Sequence, residues 1–117
     1  MITTKTIQND IETYSRFKIS RRDKTLNVTL LRFIYYTLSR DFTEDTLQEI
    51  AIMRDYDELI KRNHASVING IKKWERDKIT YRMHNDLYVV LRDYYKENDK
   101  PYYGEEKVIR THKREMY

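Results

Sequence analysis

Glycine and proline are nearly missing from this chain. Its 117 residues contain Gly70, Gly104 and Pro101 and no others of either type. A sandwich or barrel needs a tight turn every ten residues or so, and those turns draw on Gly and Pro. The scarcity therefore predicts an all-α fold. The length predicts one domain, large enough to bury a core without staples. Apolar residues recur at intervals of three and four, as they do on the buried face of a helix.

That spacing divides the chain into about five helices. Ile7, Ile11 and Tyr14 mark a first helix, roughly Thr4–Phe17. A basic, irregular stretch follows, with Ile19 and Leu26 as inward anchors. Leu31, Ile34, Tyr35 and Leu38 give the second helix, roughly Val28–Phe42. Thr46 and Glu49 have the spacing of a capping box at the head of a third, which turns Leu47 and Ile50 inward. Residues 51–62 admit two readings, an extension of the third helix or a turn and a short extra helix using Leu59 and Ile60. Asn63 is a good N-cap for a fourth helix, with Val67, Ile68, Ile71 and Trp74 on its buried stripe. A fifth, roughly Thr80–Lys96, carries Met83, Leu87, Val90, Leu91 and Tyr94. The expected architecture is a small orthogonal helical domain over residues 1–96. Residues 97–117 form a polar C-terminal tail, disordered or docking on a partner.

Composition removes several functions. With no cysteine, disulfides, thiolate catalysis and thiolate metal sites are excluded. His64, His84 and His112 are too far apart in sequence to form a metal-ligand pair, so neither a metal nor a cofactor is expected. Glu44, Asp45 and Glu49 cluster in sequence without a nucleophile or base to work with, so no enzyme is expected either. No apolar run approaches the roughly 20 residues of a membrane span. The polar N-terminus is not that of a secretory signal. The expectation is a cytoplasmic protein without membrane contact.

Charge is more telling in its distribution than in its total of +4. Arg16–Arg32 carries a net +5 and Lys61–Lys78 a net +4, leaving −5 for everything else. Two basic islands on an acidic remainder are what a nucleic-acid face looks like. The third and fourth helices have the order of a helix-turn-helix, with the fourth in the recognition position. Its first residues would face base edges. Asn63 could pair with adenine, and His64 could donate to guanine or thymine. Eleven tyrosines add a second theme. Tyr35/Tyr36, Tyr94/Tyr95 and Tyr102/Tyr103 are adjacent pairs. Neighbours on a helix cannot both face one core, so one of each pair is expected at the surface or at an interface.

The second island also carries a family resemblance. KRNHASVINGIKKW, Lys61–Trp74, resembles the signature of the C-terminal DNA-binding domain of DnaA-type replication initiators, roughly G-R-D-H-[TS]-[TS]-V-x-x-A-x-x-K-I. Arg62, His64, Ser66, Val67 and Lys73 match in order. Upstream, Leu38, Phe42, Thr43, Leu47, Glu49 and Ile50 fall on similar positions, and the likeness spans about Thr6–Lys96. It implies a Trp-repressor-like helix-turn-helix. It also implies base reading by His64, Ala65 and Ser66, beside Asn63 at the start of the helix. Phosphate or minor-groove contacts would come from Arg21, Arg22, Lys24, Arg32, Lys61, Arg62, Lys72 and Lys73. The departures are Asn63 for the family's acid, Ala65 for its first hydroxyl residue, and Gly70 for its small residue. Twelve residues separate Ile50 from Asn63 where the family has about seven. No G-x-x-x-x-G-K-[ST] segment is present, so this is not an initiator ATPase.

The functional expectation is a stand-alone double-stranded DNA-binding protein acting in replication or transcription control in a bacterium or phage. The alternative is a helix-turn-helix scaffold reused as a protein-interaction or phage structural module. Its tyrosine-rich surface and tail would then serve partner binding or self-association.

Overall fold

The computed structural model describes residues 1–55 and 58–103. Within them lie five helices, α1 (Thr4–Ser15), α2 (Leu26–Phe42), α3 (Leu47–Ile50), α4 (His64–Asp77) and α5 (Arg82–Asn98). Between α3 and α4 stand two short strands, β1 (Ile52–Asp55) and β2 (Glu58–Lys61). The fold is mostly helical, and the hairpin corrects the expectation of a purely all-α chain. No described helix is long and apolar enough to cross a membrane.

The ends of the helices follow from local chemistry. Thr3 and Thr6 form a reciprocal capping box at the start of α1, and Thr46 with Glu49 forms the expected one on α3. Thr25 caps α2 through the Val28 N–H. At the end of α1, Arg16 adopts the left-handed conformation at φ 68° and donates its N–H to the Glu12 carbonyl. That closes the helix two residues before the expected end at Phe17 and turns the chain into the basic loop.

The hairpin overturns both readings of residues 51–62. Its strands pair antiparallel with Met53 opposite Ile60 and Arg54 opposite Leu59. Met53 is fully buried, whereas Leu59, an inward position in the extra-helix reading, is 60% exposed. A side chain on α1 fixes β1 in place. The Gln8 amide donates to the Arg54 carbonyl at 2.6 Å and accepts the Arg54 N–H at 2.9 Å, so it stands in for a neighbouring strand.

Helix α2 is the centre of the molecule. It contacts α1, α3, α4 and α5, so it is buried on nearly every side. Tyr35 and Tyr36 are therefore both buried, contrary to the expectation that one of the pair faces out. Tyr36 lies against α4 at Gly70, where an added Cβ would sit 2.7 Å from its ring and 2.8 Å from that of Phe33. The residue that weakens α4 as a helix thus lets α4 approach α2 closely. Trp74 is buried at the same interface and meets Tyr88 of α5 edge-on at 5.6 Å.

On α5 the buried face is Leu87, Tyr88, Leu91 and Tyr95, whereas Met83 is 82% exposed. Ile19 is buried as expected, but Leu26 is not. The expected domain boundary at 96 falls inside α5, and the chain beyond it folds back on α1. Asp10, fully buried, accepts the Tyr95 hydroxyl at 2.6 Å and the backbone N–H groups of Tyr102 and Tyr103 at 2.8 and 3.1 Å. The rings of Tyr14, Tyr94, Tyr102 and Tyr103 pack against one another around this point. The rest of the expected tail, 104–117, lies outside the described residues.

Candidate nucleic-acid interface

The two basic islands, with residues 33–60 between them in sequence, meet in space through Arg62, while Arg32 holds the first island from within. Arg32, on α2, directs its Nε to the Ile19 carbonyl at 2.7 Å and its Nη2 to the Arg21 carbonyl. Arg62, between β2 and α4, sends Nη2 to the carbonyls of Ser20 and Arg21 at 3.0 and 3.1 Å. Three successive carbonyls of the loop are thus held by two guanidiniums. Glu12 fixes the same loop from α1 by accepting the Ile19 N–H at 2.9 Å. Burial pushes the Glu12 carboxyl up from its ordinary range, against the lowering effect of bonds from Gln8 and Ile19. Burial, and then the neighbouring charge of Arg62, push Arg32 down.

This geometry redistributes the expected roles. Arg32 is 8% exposed and spent on the backbone, so it is corrected from a phosphate contact to a clamp. Arg62 is half-buried with its Nη2 committed in the same way. The loop residues Arg21, Arg22 and Lys24 remain exposed. Arg21 approaches Asp55 of β1 at 3.9 Å, which reduces its effective charge. Lys61, at the end of β2, is exposed beside the start of α4.

Helix α4 turns Val67, Gly70, Ile71 and Trp74 inward. Its opposite face is solvent-exposed. At 100° per residue, Ala65, Asn69, Lys72 and Arg76 form one line along it, with Ser66 and Lys73 beside them. His64 sits at the edge of this face, exposed. Asn69 was missed by sequence reasoning, although its spacing from Lys72 was legible, whereas Arg76 was already counted in the second basic island. Arg76 has its charge offset by Asp77 in a two-bond pair at 2.7 and 2.9 Å. Asn63 is the N-cap, and its Oδ1 accepts the Ala65 N–H at 2.8 Å. Bidentate pairing with adenine would need that oxygen, at a cost of about 1 kcal/mol of capping energy.

Beside the head of α4 a cleft of about 640 Å³ opens between α3 and the hairpin, with Glu49, Lys61, Arg62 and His64 on its walls. Strands β1 and β2 lie in the longer stretch between Ile50 and Asn63, and Asp55, paired across them with Glu58, stands at the margin of the basic surface beside Arg21. Arg22, Lys24, Lys61 and Lys72 have no ion-pair partner among the described residues, so their charge faces solvent.

No protein-family model, no curated protein and no solved structure matches this chain.

The chemistry of the exposed cations suits a polyanion. Cations without acids of their own, carried by a loop held rigidly beside a helix start, are suited to phosphate oxygens. The helix N-terminus adds its dipole to the same side. Exposed Asn69, Ser66 and His64 supply groups able to distinguish bases.

Proposed function

We propose that the protein binds double-stranded DNA as a stand-alone module, with α4 in the major groove and the basic loop on the adjacent backbone or minor groove. The observation that carries this reading is the grip of Arg62, from the second basic island, on the Ser20 and Arg21 carbonyls of the first, which holds the basic loop beside the start of α4. The resemblance of Lys61–Trp74 to the initiator signature supports the same orientation of α4 and a role in replication or transcription control. In this reading Arg22, Lys24, Lys61, Lys72 and Lys73 meet phosphates. His64, Ser66 and Asn69 face bases, and Ala65 touches at most a thymine methyl. It is a binding protein and not an enzyme.

Five neutralised phosphates give a slope of about −4.5 in log affinity against log salt. Titration of a mixed-sequence duplex between ~50 and ~200 mM salt tests it, and absence of binding at ~50 mM salt overturns it. Selection from a random duplex pool then reads the target sequence. One observation favours the alternative of a protein-interaction module. The hairpin sets Asp55 and Glu58 beside the basic surface, where they would repel phosphate.

A further inference from the structure

The cleft beside the head of α4 has the size and the charge of a small-molecule site. Lys61, Arg62 and His64 stand on its walls with Gln48, Glu49 and Ile52. Its volume of about 640 Å³ lies within the roughly 300–1,000 Å³ of such sites. Arg62 is half-buried and has no carboxylate within ion-pair distance among the described residues. Its Nη2 is satisfied by the Ser20 and Arg21 carbonyls, but its Nε is buried with no hydrogen-bond partner among the described residues. Arg32 grips the same Arg21 carbonyl, so two guanidiniums share one acceptor and repel one another. Carbonyls supply only partial charge. A cation is therefore left partly buried in the cleft wall without a counter-charge. Glu49 is the acid among the lining residues, and its Oε1 is taken by the Thr46 N–H at 2.7 Å.

The lining chemistry selects the occupant. Lys61, Arg62 and His64 bring nitrogen donors from three separate side chains to one side of the cleft. A phosphomonoester answers them with close to two negative charges and three acceptor oxygens, more than a single carboxylate offers. Gln48 and Glu49 of α3 present an amide and a carboxylate to the same space. Those groups suit the hydroxyl and amine donors of a sugar or base and repel a second phosphate. Ile52 adds apolar surface, and the space is far larger than one phosphate fills. We propose that the cleft binds the phosphomonoester of a sugar or nucleoside. Its phosphoryl group meets Lys61, Arg62 and His64, and its hydroxyl-bearing part lies against Gln48 and Glu49. Lys61 and His64 also belong to the proposed DNA face, so an occupied cleft weakens DNA binding, a consequence that rests on that reading. Gln48 and Glu49 have no part in that face, so the cleft can be altered by itself.

Calorimetric titration of the full chain at matched ionic strength tests this, with ribonucleoside 5′-monophosphates, ribose 5-phosphate, the free nucleosides and inorganic phosphate as probes. At least one phosphomonoester should bind about ten-fold or more tighter than inorganic phosphate and than its own unphosphorylated form. Ribose 5-phosphate matching the best nucleotide supports the site with a sugar phosphate as occupant, and a nucleotide preference supports it with a nucleotide. Gln48→Trp fills the cleft from an exposed position, and Lys61→Met removes a cation but keeps its stem. Each should weaken binding by about ten-fold or more, with unchanged circular dichroism confirming folding. No binding by any probe, nucleosides matching their monophosphates, or affinity indifferent to both variants overturns the proposal. So does inorganic phosphate binding as tightly as the organic probes, which marks an adventitious ion only. Duplex titration with the cleft saturated then separates the two readings. Competition that Gln48→Trp abolishes supports the shared use of Lys61 and His64, and nucleotide binding without competition overturns it. A chain that binds nucleotide and no duplex supports the cleft and overturns the DNA reading.

Discussion

Replacing Arg32 by Met separates a clamp from a phosphate contact. The substitution keeps most of the buried stem and removes two charged hydrogen bonds, those to the carbonyls of Ile19 and Arg21. Hydrogen bonds to charged groups contribute about 1.5–3 kcal/mol each. Two offsets apply. The Arg21 carbonyl keeps its bond from Arg62 at 3.1 Å, and removing a cation held down by burial and by Arg62 relieves some repulsion. The net loss is therefore about 2–3 kcal/mol, below the sum of the two bonds. With a urea dependence of about 1.5 kcal/mol per M for a domain of this size, the unfolding midpoint drops by about 1.5–2 M. Arg32→Lys, with one amine for two carbonyls, should lie about midway. Lys24→Met is the control: an exposed residue whose loss moves stability by less than about 0.5 kcal/mol. In duplex titrations the pair should invert. Lys24→Met flattens the salt slope by about 0.9, one phosphate, while Arg32→Met leaves the slope nearly unchanged. An Arg32→Met midpoint within ~0.3 M of wild type, together with a slope flattened by about 0.9, would refute the clamp and restore Arg32 to the phosphate set.

Further outcomes follow from the same structure. Lys72→Ala with Lys73→Ala should reduce the salt slope by about 1.8 and leave the urea midpoint unchanged, and a lost midpoint would assign these lysines to stability instead. Gly70→Ala gains about 1 kcal/mol of helix propensity but forces its Cβ against Tyr36 and Phe33, where overpacking costs about 1–3 kcal/mol. A melting temperature lower by several degrees is expected, and a rise would show that the α2–α4 contact is loose. Tyr95→Phe removes the 2.6 Å bond to buried Asp10 and should cost about 1.5–3 kcal/mol by urea unfolding. Asp10 itself has a sign to check. Burial raises its pKa despite three hydrogen bonds, so the folded state holds the proton more tightly than the unfolded one. Its contribution to stability is fully present below the unfolded value, about 4, and is lost as pH rises through the folded value. The advantage of wild type over Asp10→Asn should therefore shrink from acid toward neutral pH, and an advantage that grows would mean the buried carboxylate is net stabilising.

Much of the helical framework could be read from the sequence because periodicity and caps are local. Thr46 with Glu49, Asn63 as N-cap, and the stripe of Leu31, Ile34, Tyr35 and Leu38 needed no tertiary knowledge. The hairpin was hidden because its determinant is remote. Gln8 occupies β1's main-chain groups from 46 residues away, and a lone glutamine beside Ile7 carries no signal of that partnership. The two buried tyrosines of α2 were misjudged for a related reason. A helix surrounded by four others has no solvent face at Tyr35 and Tyr36, and its position at the centre appears only once the chain is folded. At the candidate site the charge islands were legible as totals. Which cations serve the fold and which face solvent was not, since Arg32 and Lys24 look alike in a sequence. Their difference rests on whether a carbonyl comes within reach.

That difference bears on how a basic loop remains usable. Residues 16–25 lack regular structure, and a loop rich in like charges tends to spread apart and lose order. Here the carbonyls of Ile19, Ser20 and Arg21 are held by Arg32 and Arg62, the Ile19 N–H by Glu12, and the Ile19 side chain by the core. Each tie leaves the exposed side chains of Arg22 and Lys24 untouched. Order is therefore supplied by main-chain bonds and charge by side chains that form none, so ordering and binding do not compete. Glu12 and Gln8 stand one turn apart on α1 and are joined at 3.1 Å, which links the loop's anchor to the hairpin's anchor. A change at Gln8 should reach both at once. Gln8→Leu keeps the buried volume but leaves the Arg54 N–H and carbonyl without their partner, at a cost of roughly 1–3 kcal/mol for each group. Amide exchange should then quicken at Arg54, and also at Ile19, whose acceptor Glu12 has lost its bond from Gln8. Faster exchange at Arg54 alone would show that loop and hairpin are anchored independently, and the single basic face would then rest on the two arginines without help from α1.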